Sequence, residues 1–382
     1  MGKVYVAGVG FTRVAEHWEL SLEQLMAEAA IRAFEDSGIG SVNSIYVGNM
    51  AGEALQEQAH LGARIAEELG LIGTPSFRVE AAGASGAAAL YSAAMEILAG
   101  RSKAVLVVGG EKLSDGLANE VSSALLMGER QEYEGFIGAE FYSLNALLYR
   151  LYKKQYDVRD EVAYFSVISH EHAAGVEHAQ YPFKVSLEKI MSSPYISEPL
   201  RRLEVSGIGD GAAALVLVNE ETAERLKSPR IEIYISASTD FMNPFERENP
   251  LYFQSLAIAV DEVLRLARVE RGGIDLVELH DATSIMAAIS LESSGFAREG
   301  EAGKLAMKGE LGLSGSLPCN TFGGLKARGN PFGATGIYQV AEIYLQLMER
   351  AGKNQLDSPK VGMAQSIGGV GTTAIVSVLK KV

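Results

Sequence analysis

The sequence predicts an α/β protein made of two similar halves. Strand-type segments alternate with helical segments along the chain, which is the order that builds a mostly parallel sheet covered by helices. At 382 residues the chain exceeds the usual size of a single hydrophobic core, so two packed units are expected. An apolar content of 47% with 41 glycines is typical of a large core with many tight turns and argues against disorder.

Eight short apolar segments are predicted strands, at 3–8, 44–47, 104–108, 212–218, 231–236, 276–279, 361–366 and 373–378. Longer segments with helical periodicity lie between them. We predict helices at 20–37, 58–69, 87–99, 255–267 and 337–351.

One structural unit occurs twice. The tetrapeptide Gly83-Ala84-Ser85-Gly86 opens a helix that ends at Gly100, before the predicted strand 104–108. The tetrapeptide Gly333-Ala334-Thr335-Gly336 opens a helix that ends at Gly352, before the predicted strand 361–366. The shared helix length and the following strand favour an internal duplication over chance. We therefore place the first half at 1–222 and the second half at 229–382.

A long segment, from about 113 to 203, interrupts the first half. Five tyrosines lie between positions 142 and 164 of this segment, among mixed charges, and a turn-rich stretch follows at 192–194. Tyrosines at helical spacing usually pack between helices. The stretch His170-Glu171-His172, with His178 nearby, does not suggest a metal site, because residues i and i+2 do not share a helix face. We interpret these histidines as part of a solvated helical surface.

Charge and cysteine content exclude several classes of protein. The net charge of −14, with dispersed Lys and Arg, argues against binding to nucleic acid. A single cysteine excludes an intramolecular disulfide and a cysteine-cluster metal site, and it fits a reducing cytoplasm. Residues 1–12 have no signal-peptide pattern, and no stretch reaches the about 18 apolar residues of a spanning helix. We therefore expect a cytoplasmic protein with no membrane partner.

Four motifs resemble one family in the same order along the chain. The stretch Val79-Glu80-Ala81-Ala82-Gly83-Ala84-Ser85-Gly86 is similar to the E-x-A-C-A-S-G signature of the thiolase superfamily, with glycine in place of the cysteine. The other three are Glu278-Leu279-His280-Asp281-Ala282-Thr283, the segment 320–336, and Gly368-Gly369-Val370-Gly371. The resemblance spans essentially the whole chain and is closest to the sterol-carrier-protein type and archaeal acetyl-CoA acetyltransferases. It implies the thiolase fold, two α/β halves in a layered α-β-α-β-α sandwich, with an inserted loop domain over the acyl-CoA tunnel.

The resemblance also implies site residues. The catalytic positions are Gly83 at the nucleophile, His280 as donor to the thioester oxygen, Asn330 in place of a second histidine, and N–H groups around Gly371. The acyl-CoA-binding positions are Ser85, Asn320, Phe322, Lys326, Arg328 and Arg201. A coenzyme A thioester is the implied substrate, and neither a metal nor a covalently bound cofactor is implied.

Gly83 is the main departure from the family. Without a side chain it accepts no acyl group, and deleting the nucleophile of a covalent mechanism costs on the order of 10⁶ in turnover. The sequence leaves open whether the natural protein lacks this cysteine or a cysteine has been replaced. Cys319 is disfavoured as a substitute, because no helix N-terminus is predicted to activate it. Asn330 cannot act as a general base, although Cys-His-Asn sets occur in related ketoacyl synthases.

Three functions remain open. The first is an acyl-CoA C-acyltransferase of the acetyl-CoA acetyltransferase type, in lipid or isoprenoid metabolism. Its activity would be impaired in this chain, because Gly83 stands at the position of the nucleophile. The second is a cysteine-independent thiolase-like aldolase, although those relatives tend to carry tyrosine at the positions of His280 and Asn330. The third is a non-catalytic acyl-CoA-binding or scaffold subunit of a complex with a hydroxymethylglutaryl-CoA synthase and a zinc-ribbon/OB-fold protein. The resemblance further implies a homodimer or homotetramer.

Overall fold

The computed structural model describes residues 2–226 and 230–382, so the predicted boundary at residue 229 lies outside the described residues. The strands are β1 (Val4–Phe11), β2 (Ser44–Gly48), β3 (Ser76–Val79), β4 (Ala104–Glu111), β5 (Tyr195–Ser197), β6 (Leu200–Arg201), β7 (Gly211–Asn219), β8 (Ile231–Thr239), β9 (Leu276–Glu278), β10 (Val361–Gly368) and β11 (Thr373–Lys381). The α-helices are α1 (Leu22–Ser37), α2 (Gly52–Leu55), α3 (Leu61–Glu68), α4 (Ser85–Leu98), α5 (Ala118–Leu126), α6 (Phe141–Tyr156), α7 (Tyr164–Ala173), α8 (Leu187–Met191), α9 (Glu220–Ala223), α10 (Gln254–Ala267), α11 (Ser284–Ser293), α12 (Ala302–Met307) and α13 (Phe332–Leu347).

The main sheet is mixed, so the prediction of a mostly parallel sheet was wrong. Its strand order is β3-β2-β4-β7-β1-β8-β11-β10-β9. Only β2 with β3, β2 with β4 and β9 with β10 pair in parallel among these described strands. Parallel neighbours require a crossover connection, usually a helix. Here the turn 369–372 between β10 and β11 is too short for a crossover, so that pair is antiparallel. Strands β4 and β7 are also antiparallel, although the long insertion lies between them.

The apolar side chains of the main sheet and its helices form three large hydrophobic cores. In β4, Val105 and Val107 pack with α4 and α13, whereas Leu106 and Val108 pack with α1 and α3. In β11, alternate side chains likewise face α4 and α13 on one side and α10 and α11 on the other. Alternation along a strand places successive side chains on opposite faces. The result is five layers, as the family resemblance implied, with α4 and α13 in the centre.

The predicted duplication corresponds to the two central helices. Helix α4 is followed by Gly100 in the left-handed region (φ 70°) and then by β4. Helix α13 is followed by Gly352 in the same region (φ 59°) and then by β10. The two helices approach closely at their N-termini, because a Cβ on Gly86 would lie only 2.5 Å from the carbonyl oxygen of Gly333. Glycine is required here by contact between backbones.

The insertion folds into helices and the small hairpin β5-β6, and it packs on the second half. Its buried Tyr149 and Tyr152 join the core that contains α10 and α11. The Tyr152 hydroxyl donates a hydrogen bond to Glu292 at 2.6 Å. These two tyrosines therefore pack between helices, as predicted. In the described part of the chain, no helix has both the length and the apolar character needed to cross a bilayer.

Gly109→Ala tests the close approach at the centre of the fold. An added Cβ would overlap the Gly333 carbonyl oxygen, and overpacking of this kind typically costs about 1–3 kcal/mol of unfolding free energy. Gly40→Ala is the matched control, because its Cβ meets nothing within 4 Å. We expect urea denaturation followed by circular dichroism to show a lower midpoint for Gly109→Ala only. Equal midpoints for the two variants would contradict the packing described here.

Candidate functional site

One cleft lies where the N-terminus of α4, the ends of β9 and β10, and the insertion meet, and its empty space, including the open mouth, is about 450 Å³. It is lined by Met50, Ala82, Gly83, Leu125, Gly128, Glu129, Phe141, Tyr142, His280, Ala282, Asn330, Phe332, Ile367 and Gly369. The lining is mainly apolar with a few polar groups, which is typical of a small-molecule site. Three of the four predicted catalytic positions, Gly83, His280 and Asn330, therefore face one cavity.

Position 83 lies in a single 3₁₀ turn, Ala82–Ala84, directly before α4. The Ser85 hydroxyl holds this turn: it accepts a hydrogen bond from the Ala81 N–H (2.9 Å) and donates one to the Ala82 carbonyl (2.7 Å). A Cβ at position 83 would lie 3.6 Å from His280 Nε2, so a side chain there would face the imidazole. It would also lie 2.9 Å from the Ile367 carbonyl oxygen, so that backbone atom would have to move.

His280 follows β9 and is buried at the inner end of the cleft. Its Nδ1 lies 3.2 Å from the backbone N–H of Ile367. A backbone N–H only donates, so Nδ1 accepts and the proton of the neutral ring is on Nε2. Burial, and secondarily the Arg328 cation, lowers the pKa of His280 to about 3. The ring is therefore neutral at ordinary pH and offers an Nε2–H to the cavity.

Asn330 is held by two hydrogen bonds. Its Oδ1 accepts from the Thr335 hydroxyl at 2.7 Å, and its Nδ2 donates to the Ser206 hydroxyl at 3.2 Å. The amide cannot take up a proton at neutral pH. Asn330 can therefore orient a ligand but cannot serve as the base of the site.

The insertion adds two polar groups that the sequence analysis missed. Glu129 is buried, and its pKa is raised to about 8 by burial and then by the neighbouring Glu134. Tyr142 donates a hydrogen bond to the Ser206 carbonyl at 3.4 Å, and burial raises its pKa to about 12. The family resemblance implied that the insertion lies over the site, but neither residue belongs to a recognisable motif, and the structure is needed to show which of its side chains line the cleft.

Several predicted acyl-CoA-binding residues instead hold the protein together. Asn320 Oδ1 accepts the Leu279 N–H at 2.6 Å. Arg328 is fully buried, with its Nε 3.2 Å from Glu342. Phe322 packs on His178, and the Ser85 hydroxyl donates to the Ala82 carbonyl in the turn before α4. None of these four lines the cleft.

The other predicted positions also lie outside the cleft lining. Gly371 packs against Phe253, and Gly369 lines the cleft in its place. Arg201 belongs to the hairpin of the insertion and stacks on Tyr195 at 4.2 Å. Lys326 is buried with its Nζ 5.5 Å from the centre of a tyrosine ring, and burial lowers its pKa to about 8.

The histidines of α7 are buried, so the predicted solvated surface was wrong. His170 Nδ1 contacts the Phe183 carbonyl at 3.0 Å, and His172 Nδ1 contacts the carbonyls of Cys319 and Asn320, both at 3.1 Å. Loops distant in sequence cover this helix, which its own periodicity does not reveal.

Burial, together with nearby Glu278, raises the pKa of the Cys319 thiol well above its usual value, so Cys319 is a poor nucleophile.

Comparison with known proteins agrees with the geometry. A family model described as "Thiolase, N-terminal domain" matches residues 4–221, and one described as "Thiolase C-terminal domain-like" matches residues 236–381. The chain belongs to the thiolase superfamily.

Similar proteins support this membership and the fold. An acetyl-CoA acetyltransferase from Methanothermobacter thermautotrophicus is 37% identical over 388 residues, which cover 100% of both chains. Sterol carrier protein 2 from Homo sapiens is 28% identical over 99% of this chain and 72% of its own length. A solved structure described as "Ltp2-ChsH2(DUF35) aldolase" superposes with a TM-score of 0.86 at 24% identity, covering 99% of this chain and 98% of its own. The predicted thiolase fold is confirmed.

Proposed function

We propose that this thiolase-superfamily chain makes or breaks a carbon–carbon bond beside the carbonyl of a coenzyme A thioester, without forming an acyl-enzyme. One observation carries the proposal: the Nε2 of His280 faces position 83, where glycine offers no nucleophile. The donor that would stabilise an enolate is present, and the group that would accept an acyl chain is absent. The reaction class is that of a thiolase-like aldolase.

His280 supplies the electrostatic part of this chemistry. The thioester oxygen accepts the Nε2–H and gains negative charge as the enolate forms. Because Ile367 fixes the ring, the donor does not reorient during the reaction. One such preorganised donor is worth about 10²–10³ in rate.

The bond changes balance without a covalent intermediate. A 3-hydroxyacyl-CoA loses its hydroxyl proton to a base, the Cα–Cβ bond breaks, and a carbonyl compound leaves. The electron pair of that bond becomes the thioester enolate, which then takes a proton at Cα to give the shortened acyl-CoA. The reverse sequence is an aldol addition.

A second candidate is acetyl-CoA acetyltransferase activity, which the 37% identical relative favours because the similarity covers both chains completely. Its Claisen or thiolysis step requires an acyl acceptor at position 83. Gly83 cannot supply one, so we propose that this activity is impaired in the chain as written. A third candidate, an acyl-CoA-binding subunit without catalysis, would use the same cleft.

Assembly is part of the same proposal. Strand β3 is an edge of the main sheet and exposes Phe77, with Ile72 exposed nearby. An uncovered edge strand is a surface that a second copy can cover. We therefore propose that the chain forms a homo-oligomer. We also propose a hydroxymethylglutaryl-CoA synthase and a zinc-ribbon/OB-fold protein as partners, which co-purification would test.

His280→Asn tests the donor. The Oδ1 of Asn can replace Nδ1 as acceptor for Ile367, but no N–H reaches the position of Nε2. We expect acetyl-CoA to exchange its α-hydrogens with D₂O in the presence of the native chain, and about 10²–10³ more slowly with the variant, at unchanged acetyl-CoA affinity. Mass spectrometry of the acetyl-CoA measures the exchange. His60→Asn, at an exposed position, is the control. Equal exchange by native chain and His280→Asn would exclude this role, whereas binding without any exchange would favour the non-catalytic candidate.

Gly83→Cys separates the first two candidates. We expect no gain in acetoacetyl-CoA thiolysis, because the Ile367 carbonyl occupies the space beside Cβ and Asn330 cannot take the thiol proton. Loss of the thioester absorbance with free coenzyme A present measures the reaction. Gly83→Ala adds the same Cβ without a thiol and is the matched control. Thiolysis by Gly83→Cys alone would establish position 83 as a lost nucleophile and favour the acetyltransferase.

A further inference from the structure

Glu129 is a buried carboxyl group in the cleft with no partner in the described part of the chain. It follows α5, is 4% exposed and lines the same cavity as His280. Its side chain makes no hydrogen bond and no ion pair with a described residue. An isolated buried carboxylate is costly, so such groups are usually paired or serve a function.

A second buried carboxyl group, Glu134, lies five residues further along the same segment. Glu134 is 2% exposed, and both of its carboxyl oxygens lack a hydrogen-bond partner among the described residues. Its nearest cation, Arg130, lies 4.0 Å away and pairs more closely with Glu246 at 2.5 Å. The negative charge of Glu134 opposes ionisation of Glu129 and adds to the effect of burial on the pKa of Glu129.

The other charged group near Glu129 only partly offsets this repulsion. Arg247, after β8, donates to the Phe241 carbonyl and lies 3.5 Å from Asp240, so other groups already share its charge. Its cation lowers the pKa of Glu129, but burial and Glu134 raise it to about 8. Both protonation states of Glu129 are therefore accessible near neutral pH.

The remaining polar groups of the cleft cannot exchange a proton as readily. His280 already carries its proton on Nε2 and accepts a hydrogen bond at Nδ1. Tyr142 donates to the Ser206 carbonyl, and burial raises its pKa to about 12. Asn330 does not titrate. Glu129 is the one carboxylic acid among the described lining residues.

We propose that Glu129 is the acid–base group of this site, which takes the proton released by the substrate and returns it to the α-carbon. The inference rests on the proposed function, which requires a base but does not identify it. In the cleavage direction, the Glu129 carboxylate accepts the 3-hydroxyl proton as the Cα–Cβ bond breaks and the enolate forms at His280. The resulting carboxylic acid then donates that proton to Cα, which restores the carboxylate. In the partial reaction, the carboxylate accepts a Cα–H proton of acetyl-CoA directly.

The test measures exchange of acetyl-CoA α-hydrogens with D₂O against pH. With the native chain, the rate should rise as pH increases through about 8, because only ionised Glu129 accepts a proton. Glu129→Gln should lose about 10²–10⁴ in rate, the usual contribution of a general base, and should lose this pH dependence. Glu132→Gln, at an exposed position three residues along, is the matched control and should behave as the native chain does.

Glu134→Gln distinguishes an acid–base role from a structural one. Removing the charge of Glu134 favours ionisation of Glu129, so the rise in rate should move to lower pH while the plateau is retained. Acetyl-CoA affinity should be unchanged in all three variants. Native exchange with undiminished exchange in Glu129→Gln would overturn the role of Glu129 and leave the proposed function standing. No exchange by the native chain at any pH would instead overturn the proposed function, and this inference with it.

Discussion

One residue at the end of β10, Ile367, sets the chemistry of the site through both of its backbone groups. The N–H of Ile367 donates to His280 Nδ1, which fixes the ring tautomer and leaves the Nε2–H for the cavity. The carbonyl of the same residue lies 2.9 Å from the place where a Cβ at position 83 would stand. A Cβ on the next residue, Gly368, would overlap the carbonyl of Ala81, so the strand end and the turn before α4 are packed backbone to backbone. Ile367 therefore orients the oxyanion donor with its N–H, and with its carbonyl it disfavours a nucleophile at position 83.

Burial explains the protonation states around this contact. The low dielectric of the inner cleft keeps His280 neutral, and the buried Arg328 cation acts in the same direction. Burial also favours the neutral acid form of Glu129, which the insertion contributes to the cleft. A neutral donor and a carboxyl group that titrates near neutral pH are the two groups that reversible enolate formation requires. The fold brings these two groups to one cleft, although the segments that carry them are distant in sequence.

The sequence predicted the elements of the fold better than the contacts of the site. Helical and strand periodicity, with the repeated glycine-led helices, predicted two similar α/β halves, and the family resemblance implied the layered sandwich. Neither predicted the strand directions, since β4 and β7 are antiparallel although the insertion between them contains helices. Motif resemblance located Gly83, His280 and Asn330 in one cleft. Arg328 and Asn320 lie outside the cleft lining, because a charge or amide in a motif can equally satisfy the buried backbone and side chains beside it, and their role in acyl-CoA binding stays a prediction. Glu129 carried no local signal, since only the folding of the insertion brings it to the cleft.

The most direct test of the central claim is the intact mass of the native chain during turnover. The chain is incubated with acetyl-CoA in D₂O, and the masses of protein and acetyl-CoA are followed in the same sample. We expect deuterium to enter the acetyl group while the protein gains no acetyl adduct. Alkylation after unfolding should show that Cys319 is still a free thiol. An acetyl adduct that forms and decays at the rate of exchange would contradict the central claim, since the chemistry would then pass through an acyl-enzyme.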